Sequence, residues 1–329
     1  MTTRRELLVA LGAGALVPLA SLAQQAAVRR IGVIAIRARS TKDEPEVFQD
    51  SLILGLRELG YVEGKNIAIE WRFADGKPDR VAGFAAELVR LNPELIVCHS
   101  TPAAKTLQAA TRTIPIVMGS AADPVGSGLV ASLARPGGNM TGLSVISVDI
   151  SPKQIELLRA FVPGLSRIGF LLNPDNISTV AVSKAINAAA RSAAVQIVAI
   201  EARTPEEIER GFARVSQERL RGVIVAADAV FVTARRQIGA LALKAGVASI
   251  FQFREHLLAG GLVSYGQDLA HTYRRAATYV DKILKGAKPG DIPIEQPSKI
   301  HFAINQKTAK ALGLTISKEL LIRADEVIE

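Results

Sequence analysis

Small polar and acidic side chains follow the carboxyl ends of several predicted strands along the chain. Their hydroxyl, amide and carboxylate groups can hold the charged ends of a small solute through hydrogen bonds and charge. Ligands of parallel α/β sheets bind beyond the carboxyl ends of the strands, so we expect these side chains to line one site. The candidate ligand-binding residues are Ser40, Ser100, Thr101, Ser120, Asp123, Ser144, Asn173, Asp228 and Tyr265.

The types of these residues suggest which end of a solute each one holds. Ser100 and Thr101 directly precede Pro102 at a predicted helix start, where hydroxyls and free backbone N–H groups can hold a carboxylate. Asp228 and Asp123 can pair with an ammonium group. Each residue alone fits a helix cap or a turn equally well. The inference therefore depends on the whole cluster.

An aromatic solute would also need a ring on which to stack. Phe231, Phe251 and Tyr265 are the candidates for that platform. Phe251 lies inside a buried strand pattern, which favours core packing for this residue.

Motifs of enzyme chemistry are missing from the sequence. The four histidines are widely separated and do not have metal-ligand spacing. Ser100 lacks the flanking glycines of a nucleophile elbow, and no phosphate-binding G-K-[ST] motif occurs. Gly126 and Gly128 are not followed by the third glycine of a dinucleotide loop. We therefore expect a binding protein without catalytic residues, metal or cofactor.

The N-terminus has the pattern of an export signal. Arg4 and Arg5 precede the uncharged run Leu7–Leu22, which at 16 residues is shorter than the roughly 20 that span a bilayer. Small residues, Ser21 and Ala23, then stand at the −3 and −1 positions of a cleavage site. A membrane anchor would need a longer run, and a mitochondrial presequence would have its arginines spread along an amphipathic helix. The pattern predicts a twin-arginine signal over residues 1–23. Because no cysteine follows the apolar run, we expect a soluble periplasmic protein without a lipid anchor.

The basic charge of the chain is dispersed. The formal net charge is +9, but lysines and arginines alternate with acids and form no run of five. One Trp and four Tyr offer little for stacking on bases. We therefore expect no nucleic-acid partner.

Short β-branched runs alternate with helical patterns along almost the whole chain. One series extends from Arg30–Ala35 to Ile114–Met118, and a second from Arg167–Leu172 to Ser249–Phe253, with a glycine-rich turn at Arg135–Asn139 between them. Such alternation predicts parallel sheets covered by helices. Two series of similar size predict two similar lobes.

Several stretches resemble the ABC-transporter substrate-binding family related to tryptophan and tyrosine uptake proteins. The longest is Asp123–Asn139 (DPVGSGLVASLARPGGN), and the match covers nearly the whole chain after the predicted signal. The other matching stretches are Gly60–Asn66, Thr113–Val117, Thr141–Ser144, Ala259–Gly266, Arg275–Pro289 and Ala324–Glu329.

The resemblance implies a type I periplasmic-binding fold, an α/β architecture of two Rossmann-like lobes with parallel sheets joined by a three-segment hinge. The crossings are expected near residues 141–146, 264–267 and 297–301. The implied N-terminal lobe comprises residues 29–143 plus 266–297, and the C-terminal lobe residues 144–265 plus 298–329.

The resemblance also implies a function. The chain would be the periplasmic solute-binding protein of an ABC importer. A monomer is the expectation for such a freely diffusing carrier. It would capture an amino acid or similar carboxylate and deliver it to an ABC permease in the inner membrane. The solute would first meet Ser100, Thr101 and Ser120, and hinge closure would then bring Asn173 and Asp228 to its other end.

Three alternatives remain open at this point. A ligand-sensing module for a membrane receptor would have the same sequence features. A sugar- or purine-repressor-like sensor would need a DNA-reading helix-turn-helix before residue 30, where this chain has an export signal. An enzyme built on the same lobes is the third alternative.

Overall fold

The computed structural model describes residues 28–42 and 45–329. The predicted signal over residues 1–23 lies outside the described residues. Within the described ranges, no helix is long and apolar enough to cross a membrane.

The first sheet has five parallel strands in the order β2-β1-β3-β4-β5. The strands are β1 (Arg29–Ala35), β2 (Ile67–Phe73), β3 (Leu95–Cys98), β4 (Ile116–Ala122) and β5 (Met140–Val145). The helices between them are α1 (Val47–Glu58), α2 (Arg80–Leu91) and α3 (Thr101–Ala110).

The second sheet has seven strands in the order β12-β11-β10-β9-β8-β6-β7. Its strands are β6 (Arg167–Leu172), β7 (Gln196–Glu201), β8 (Gly222–Val225), β9 (Ala248–Phe251), β10 (Val263–Gly266), β11 (His301–Asn305) and β12 (Glu326–Ile328). The helices that alternate with β6 to β10 are α4 (Ser151–Phe161), α5 (Thr179–Ser192), α6 (Pro205–Gln217), α7 (Ala229–Thr233), α8 (Arg235–Lys244) and α9 (Glu255–Leu258). Later elements are α10 (Leu269–Leu284), a 3₁₀ turn (Pro289–Asp291), α11 (Gln306–Ala311) and α12 (Lys318–Arg323).

The central strands are buried on both faces. β3 and β4 are buried at every position, so their sequences are continuous apolar or small-residue runs with no polar alternation. That pattern is typical of parallel strands covered by helices on both sides. The prediction of an α/β fold with two parallel-dominated sheets is confirmed.

Helix α10 follows a strand of the second sheet but packs against the first. Its main helical neighbour is α1. The two helices approach closely at Gly55, where an added Cβ would lie 2.4 Å from the backbone oxygen of Arg274. Glycine permits this approach because it has no side chain.

The chain passes between the two sheets at three places in the described ranges. The first lies between β5 and α4, and the second between β10 and α10. The third follows Glu295, which bridges to Leu143 of β5, and leads into β11. These places fall at or near the predicted crossings, and the exact lobe boundaries stay a prediction.

One pair of strands differs from a wholly parallel arrangement. β10 and β11 are antiparallel. The chain leaves the second sheet at the carboxyl end of β10 and continues into α10. It later re-enters the second sheet at that same end to form β11. β11 must therefore run in the opposite direction.

Gly142 allows β5 to pass very close to β4. Its φ is +132°, and an added Cβ would lie 2.1 Å from the carbonyl oxygen of Met118. We expect Gly142→Ala to lower the free energy of unfolding by about 2–3 kcal/mol through backbone strain and this clash. Gly83→Ala is the control, because Gly83 lies on an exposed face of α2 with open space around it. The same change there should raise stability by about 0.5–1 kcal/mol. Urea denaturation of both variants measures the contrast, and equal effects would contradict this explanation.

Candidate functional site

A narrow cavity of about 40 Å³ lies between the two sheets, beyond the carboxyl ends of their strands. The side of the first sheet contributes residues after β1 and β3, residues of β4 and β5, and one residue of α10. The side of the second sheet contributes residues after β6, β8 and β9. The polar residues that line the cavity are Arg37, His99, Ser100, Thr101, Ser120, Asn176, Ser178, Asp228 and Tyr273.

Ser100 is the hydroxyl best placed to donate to a ligand. Its oxygen accepts from the N–H of Ala103 at 3.3 Å and thereby caps α3, which leaves the hydroxyl hydrogen unused by that bond. The N-terminal end of α3 also carries the positive end of the helix dipole. The sequence suggested a helix cap and a ligand contact as alternative roles for Ser100. In this geometry Ser100 can fill both roles at once.

Thr101 and Ser120 line the same wall but use their hydroxyls within the protein. Thr101 Oγ1 accepts from the N–H of Ala122 at 2.9 Å and donates to the carbonyl oxygen of Ala122 at 3.3 Å. Ser120 Oγ donates to the carbonyl oxygen of His99 at 3.0 Å. These bonds connect β4 to the segment that follows β3. Both residues therefore shape the wall. Their hydroxyls are less free than that of Ser100 to donate to an oxygen of a ligand.

Asp228 supplies the negative charge of the opposite wall. Its carboxylate accepts from the backbone N–H of Val230 at 2.8 Å and caps α7. The side-chain amides of Asn173 and Asn176 donate to its other oxygen at 3.3 and 2.8 Å. Burial raises the pKa of Asp228, while these hydrogen bonds act in the opposite direction. The backbone N–H of Phe231 is a fourth donor to this carboxylate, so a ligand cation at this wall would be held by the negative charge of Asp228 beside these donors.

Arg37 is a buried cation on the first wall. Its Nη1 donates to Oε1 of Glu46 at 2.7 Å, and only 3% of its side chain is exposed. Oε2 of Glu46 accepts from the N–H of Phe48 at 3.0 Å and caps α1. The guanidinium lies 5.8 Å from the centroid of the Tyr273 ring. Sequence analysis selected Ser40 from this loop and not Arg37. The signal for Arg37 was a charged residue two positions after a buried strand.

His99 forms the neutral floor beneath this wall. Its Nε2 accepts from the backbone N–H of Ile36 at 3.0 Å, so this hydrogen bond assigns the proton to Nδ1. Burial, together with the charge of Arg37, lowers the pKa of His99 to about 3. Its ring lies 4.7 Å from that of Phe48 and 6.3 Å from that of Tyr273.

The low pKa of His99 predicts a loss of stability in acid. An unfolded histidine takes up a proton near pH 6.5, whereas folded His99 stays neutral down to about pH 3. Its contribution is therefore complete above about pH 6.5 and is lost as the pH falls towards 3. The wild type should lose up to about 1.4 kcal/mol per pH unit relative to His99→Gln over this range. Burial lowers the pKa of His256 in the same way, so only the difference between the two proteins isolates His99. A difference that does not change from pH 7 to pH 4 would contradict the assignment.

The other five predicted residues do not line this cavity, and four of them lie away from it. Ser40 accepts from the N–H of Glu46 and donates to Asp50, which holds the loop before α1. Asp123 and Ser144 line a separate open groove of about 560 Å³. Tyr265 packs edge-on against Phe302, with ring centroids 6.2 Å apart.

Asn173 lies in a small neighbouring cavity of about 70 Å³, which shares Ser100, Asp228 and Ala229 with the main one. It supports Asp228 from that side through the hydrogen bond already described.

Two of the three residues suggested as an aromatic platform lie in the core, and the platform itself stays a prediction. Phe231 and Phe251 are fully buried in the core of the second sheet. Phe253 and Tyr273 line the cavity instead. Tyr273 comes from α10, about 150 residues after Ser120, so local sequence patterns carry no signal for it.

The described part of the chain holds no group of three or more His, Cys, Asp or Glu side chains that could bind a metal. The lining of the cavity offers hydrogen-bond donors, one carboxylate and one guanidinium. This arrangement is suited to holding a small charged molecule.

Comparisons with known proteins identify relatives of this chain. The chain is 27% identical over 263 residues to a tyrosine-binding protein of Clostridioides difficile (strain R20291). The aligned stretch covers 80% of this chain and 75% of the relative. A conserved domain protein from Vibrio cholerae has a solved structure with a TM-score of 0.84 and 28% identity, covering 91% of this chain and 99% of that one. The ABC domain in complex with L-Trp from Streptococcus pneumoniae gives a TM-score of 0.83 and 27% identity, with the same coverage.

The family profile described as ABC transporter substrate binding protein matches residues 31–328, nearly the whole described chain. Members of this family bind small molecules and work with ABC transporters, and the solved relatives have the type I periplasmic-binding fold. The chain belongs to the ABC transporter substrate-binding protein family.

Proposed function

We propose that this chain is the exported solute-binding protein of an ABC importer and that it captures an α-amino acid between its lobes. Closure of the lobes would present the loaded protein to a membrane permease. The proposed lobes are residues 29–143 plus 266–297 and residues 144–265 plus 298–329. The packing of α10 on the first sheet supports this division.

The observation that carries this proposal is that one wall of the cavity presents hydrogen-bond donors, including the Nε of Arg37, which is unpartnered among the described residues, and the other presents a carboxylate. Arg37 and Ser100 lie on the first wall, and Asp228 lies on the second. An α-amino acid carries a carboxylate and an ammonium group on one carbon, so its zwitterion is complementary to this arrangement. The binding of tyrosine by one relative and of L-Trp by another supports an amino acid as the solute.

The size of the cavity requires motion. A volume of about 40 Å³ is far below the 300–1,000 Å³ typical of ligand pockets. An amino acid must therefore enter a more open arrangement of the lobes. Rotation about the three connecting segments would supply that opening, and it would enlarge the cavity while Phe253 and Tyr273 remain available for an aromatic side chain.

Export through the twin-arginine route is part of the same proposal. Replacing both arginines, Arg4→Lys and Arg5→Lys, should leave the full-length precursor in the cytoplasm of a Gram-negative host. The wild type should yield a periplasmic product that begins at Gln24. Equal export of the two proteins would contradict the twin-arginine route.

A thermal-shift screen of residues 24–329 against the common amino acids and small carboxylates tests solute capture. A ligand at 100 times its Kd stabilises the folded state by about 2.7 kcal/mol. We expect one or a few amino acids to raise the Tm, and Ser100→Ala to reduce that rise without lowering the Tm of the free protein by more than a few degrees. The absence of any shift across the amino acids would contradict the proposal, and turnover of a bound solute would indicate an enzyme instead.

A further inference from the structure

The loop that follows β2 lies at the edge of the first sheet that is farthest from the crossings. The order β2-β1-β3-β4-β5 places β5, where the chain first crosses, at the opposite edge. The other two crossings also lie beside β5, because Gln267 accepts from the N–H of Ile146 and Glu295 bridges to Leu143. Rotation about the crossings therefore opens the cleft most widely at the edge where β2 lies. We refer to residues 74–78 as the edge loop.

The edge loop is fixed to the first sheet. The N–H of Ala74 donates to the carbonyl oxygen of Ala35 at 2.8 Å, and the N–H of Gly76 donates to that of Ile36 at 2.6 Å. Pro78 lines the small cavity of about 70 Å³ that adjoins the cleft. The edge loop therefore reaches the cleft as part of the first wall and moves with the first sheet.

Helix α7 packs against both sheets, although it follows a strand of the second. Val230 and Phe231 belong to the buried apolar cluster of the second sheet. Val232 is 1% exposed and belongs to the apolar cluster of the first sheet, as does Phe253. Asp228, the cap of α7, carries the carboxylate of the second wall. One short helix thus connects that carboxylate to the packing between the two sheets.

Thr233 brings the end of α7 against the edge loop. Its Oγ1 donates to the carbonyl oxygen of Ala229 at 2.9 Å, and its Cγ2 lies towards Gly76. A Cβ added at Gly76 would lie 3.1 Å from Cγ2 and 3.7 Å from Cβ of Thr233. Gly76 has a φ of +77° and no side chain, so it allows α7 and the edge loop to touch.

We propose that α7 and the edge loop form a gate over the edge of the solute cleft. Val232 supplies the apolar packing that holds the gate shut, and Thr233 covers the edge at Gly76. Exchange of solute requires the gate to separate, because the cavity behind it, at about 40 Å³, leaves no path for an amino acid. The packing of the gate therefore sets the rate at which solute leaves. This role rests on the proposed function, whereas the contact between α7 and the edge loop does not.

A disulfide across the gate tests the contact. The Cβ atoms of disulfides lie about 3.8 Å apart, close to the 3.7 Å between the Cβ positions of residues 76 and 233. We therefore expect Gly76→Cys with Thr233→Cys to form a disulfide under mild oxidation, measured as the loss of two free thiols. Cys98, the one native cysteine, is fully buried and does not compete. Two thiols that stay free under oxidation would overturn the gate.

The same variant tests the effect of the gate on exchange. The reduced protein is loaded with an isotope-labelled form of the amino acid that gives the largest thermal shift, then oxidised and desalted. We expect dissociation at least about 100-fold slower than from the reduced protein, since disulfides rearrange in minutes to hours whereas lids open within a second. Oxidation before loading should prevent binding, and a reductant should reverse both effects. Equal exchange by the oxidised and reduced proteins would overturn the gate.

Two controls accompany the exchange measurement. Each single-cysteine variant should exchange at one rate with and without the oxidant, and an oxidant effect there would overturn the assignment to the disulfide. If neither the wild type nor the reduced variant binds any amino acid, the proposed function is contradicted instead. The disulfide then still tests the contact between α7 and the edge loop.

Variants without cysteine assign the effect to Gly76 and Thr233. Gly76→Ala places a methyl group 3.1 Å from Cγ2 of Thr233, so we expect it to push the gate apart. The dissociation rate should rise about threefold or more. Thr233→Ser removes Cγ2 but keeps the hydroxyl for Ala229, and it should cancel most of this rise in the double variant. Strain from the φ of residue 76 acts in both backgrounds, so an equal rise in both would overturn the gate.

Discussion

Glu46→Ala should lower the free energy of unfolding by about 3 kcal/mol, because it removes the carboxylate that is hydrogen-bonded to the buried guanidinium of Arg37 and leaves only the more distant charge of Glu255 to compensate it. Only 3% of the Arg37 side chain and 10% of the Glu46 side chain are exposed, so water cannot replace the lost carboxylate. The same change also removes the cap of α1 at Phe48. Urea denaturation followed by circular dichroism measures the loss.

Two controls separate the buried ion pair from other effects of Glu46→Ala. The double variant Arg37→Met with Glu46→Gln removes both charges and keeps a capping oxygen, so it should recover most of the lost stability. Glu58→Ala breaks the exposed pair with Arg274 and should cost no more than about 1 kcal/mol. Similar losses for Glu46→Ala and Glu58→Ala would show that Arg37 does not depend on Glu46.

Asp228→Asn should weaken amino-acid binding by at least about 30-fold, since removal of one partner of a buried charge pair costs 2–5 kcal/mol or more. The asparagine keeps an oxygen that can accept from the N–H of Val230, so the cap of α7 can persist. The lost charge is the one that we assign to the solute ammonium group. Calorimetric titration with the amino acid that gives the largest thermal shift measures the change.

Asp291→Asn is the matched control for this prediction. Asp291 is exposed on the 3₁₀ turn and lies outside the cavity lining. The same loss of one carboxylate there should leave affinity unchanged. If both variants bind as the wild type does, Asp228 has a structural role only, as the cap of α7 and the acceptor for Asn173 and Asn176.

Much of the fold could be predicted from the sequence, because buried parallel strands and amphipathic helices have strong local patterns. Ser100 and Asp228 could be predicted for the same reason, since each is a capping residue two or three positions after a buried strand. Local patterns could not predict the antiparallel pairing of β10 with β11. That pairing depends on where the chain re-enters the second sheet.

The finer chemistry of the site depends on contacts between distant residues. The hydroxyl of Thr101 forms hydrogen bonds with the backbone of Ala122, which lies at the end of β4 and 21 residues further along the chain. Tyr273 reaches the cavity only because α10 crosses back to the first sheet. Ser40 and Arg37 occupy one loop. Arg37 is buried in an ion pair with Glu46, whereas Ser40 donates a hydrogen bond to Asp50.

Titration with a ligand and its two truncated analogues tests the central claim, that the cleft recognises both ends of an amino-acid zwitterion. The three compounds are the best-binding amino acid, the amine that lacks its carboxylate and the acid that lacks its ammonium group. We predict that the amino acid binds at least about 30-fold more tightly than either analogue, since each analogue leaves one charged wall without a partner. Equal affinity for the amino acid and either analogue would contradict the assignment of Arg37 and Ser100 to the carboxylate, or of Asp228 to the ammonium group.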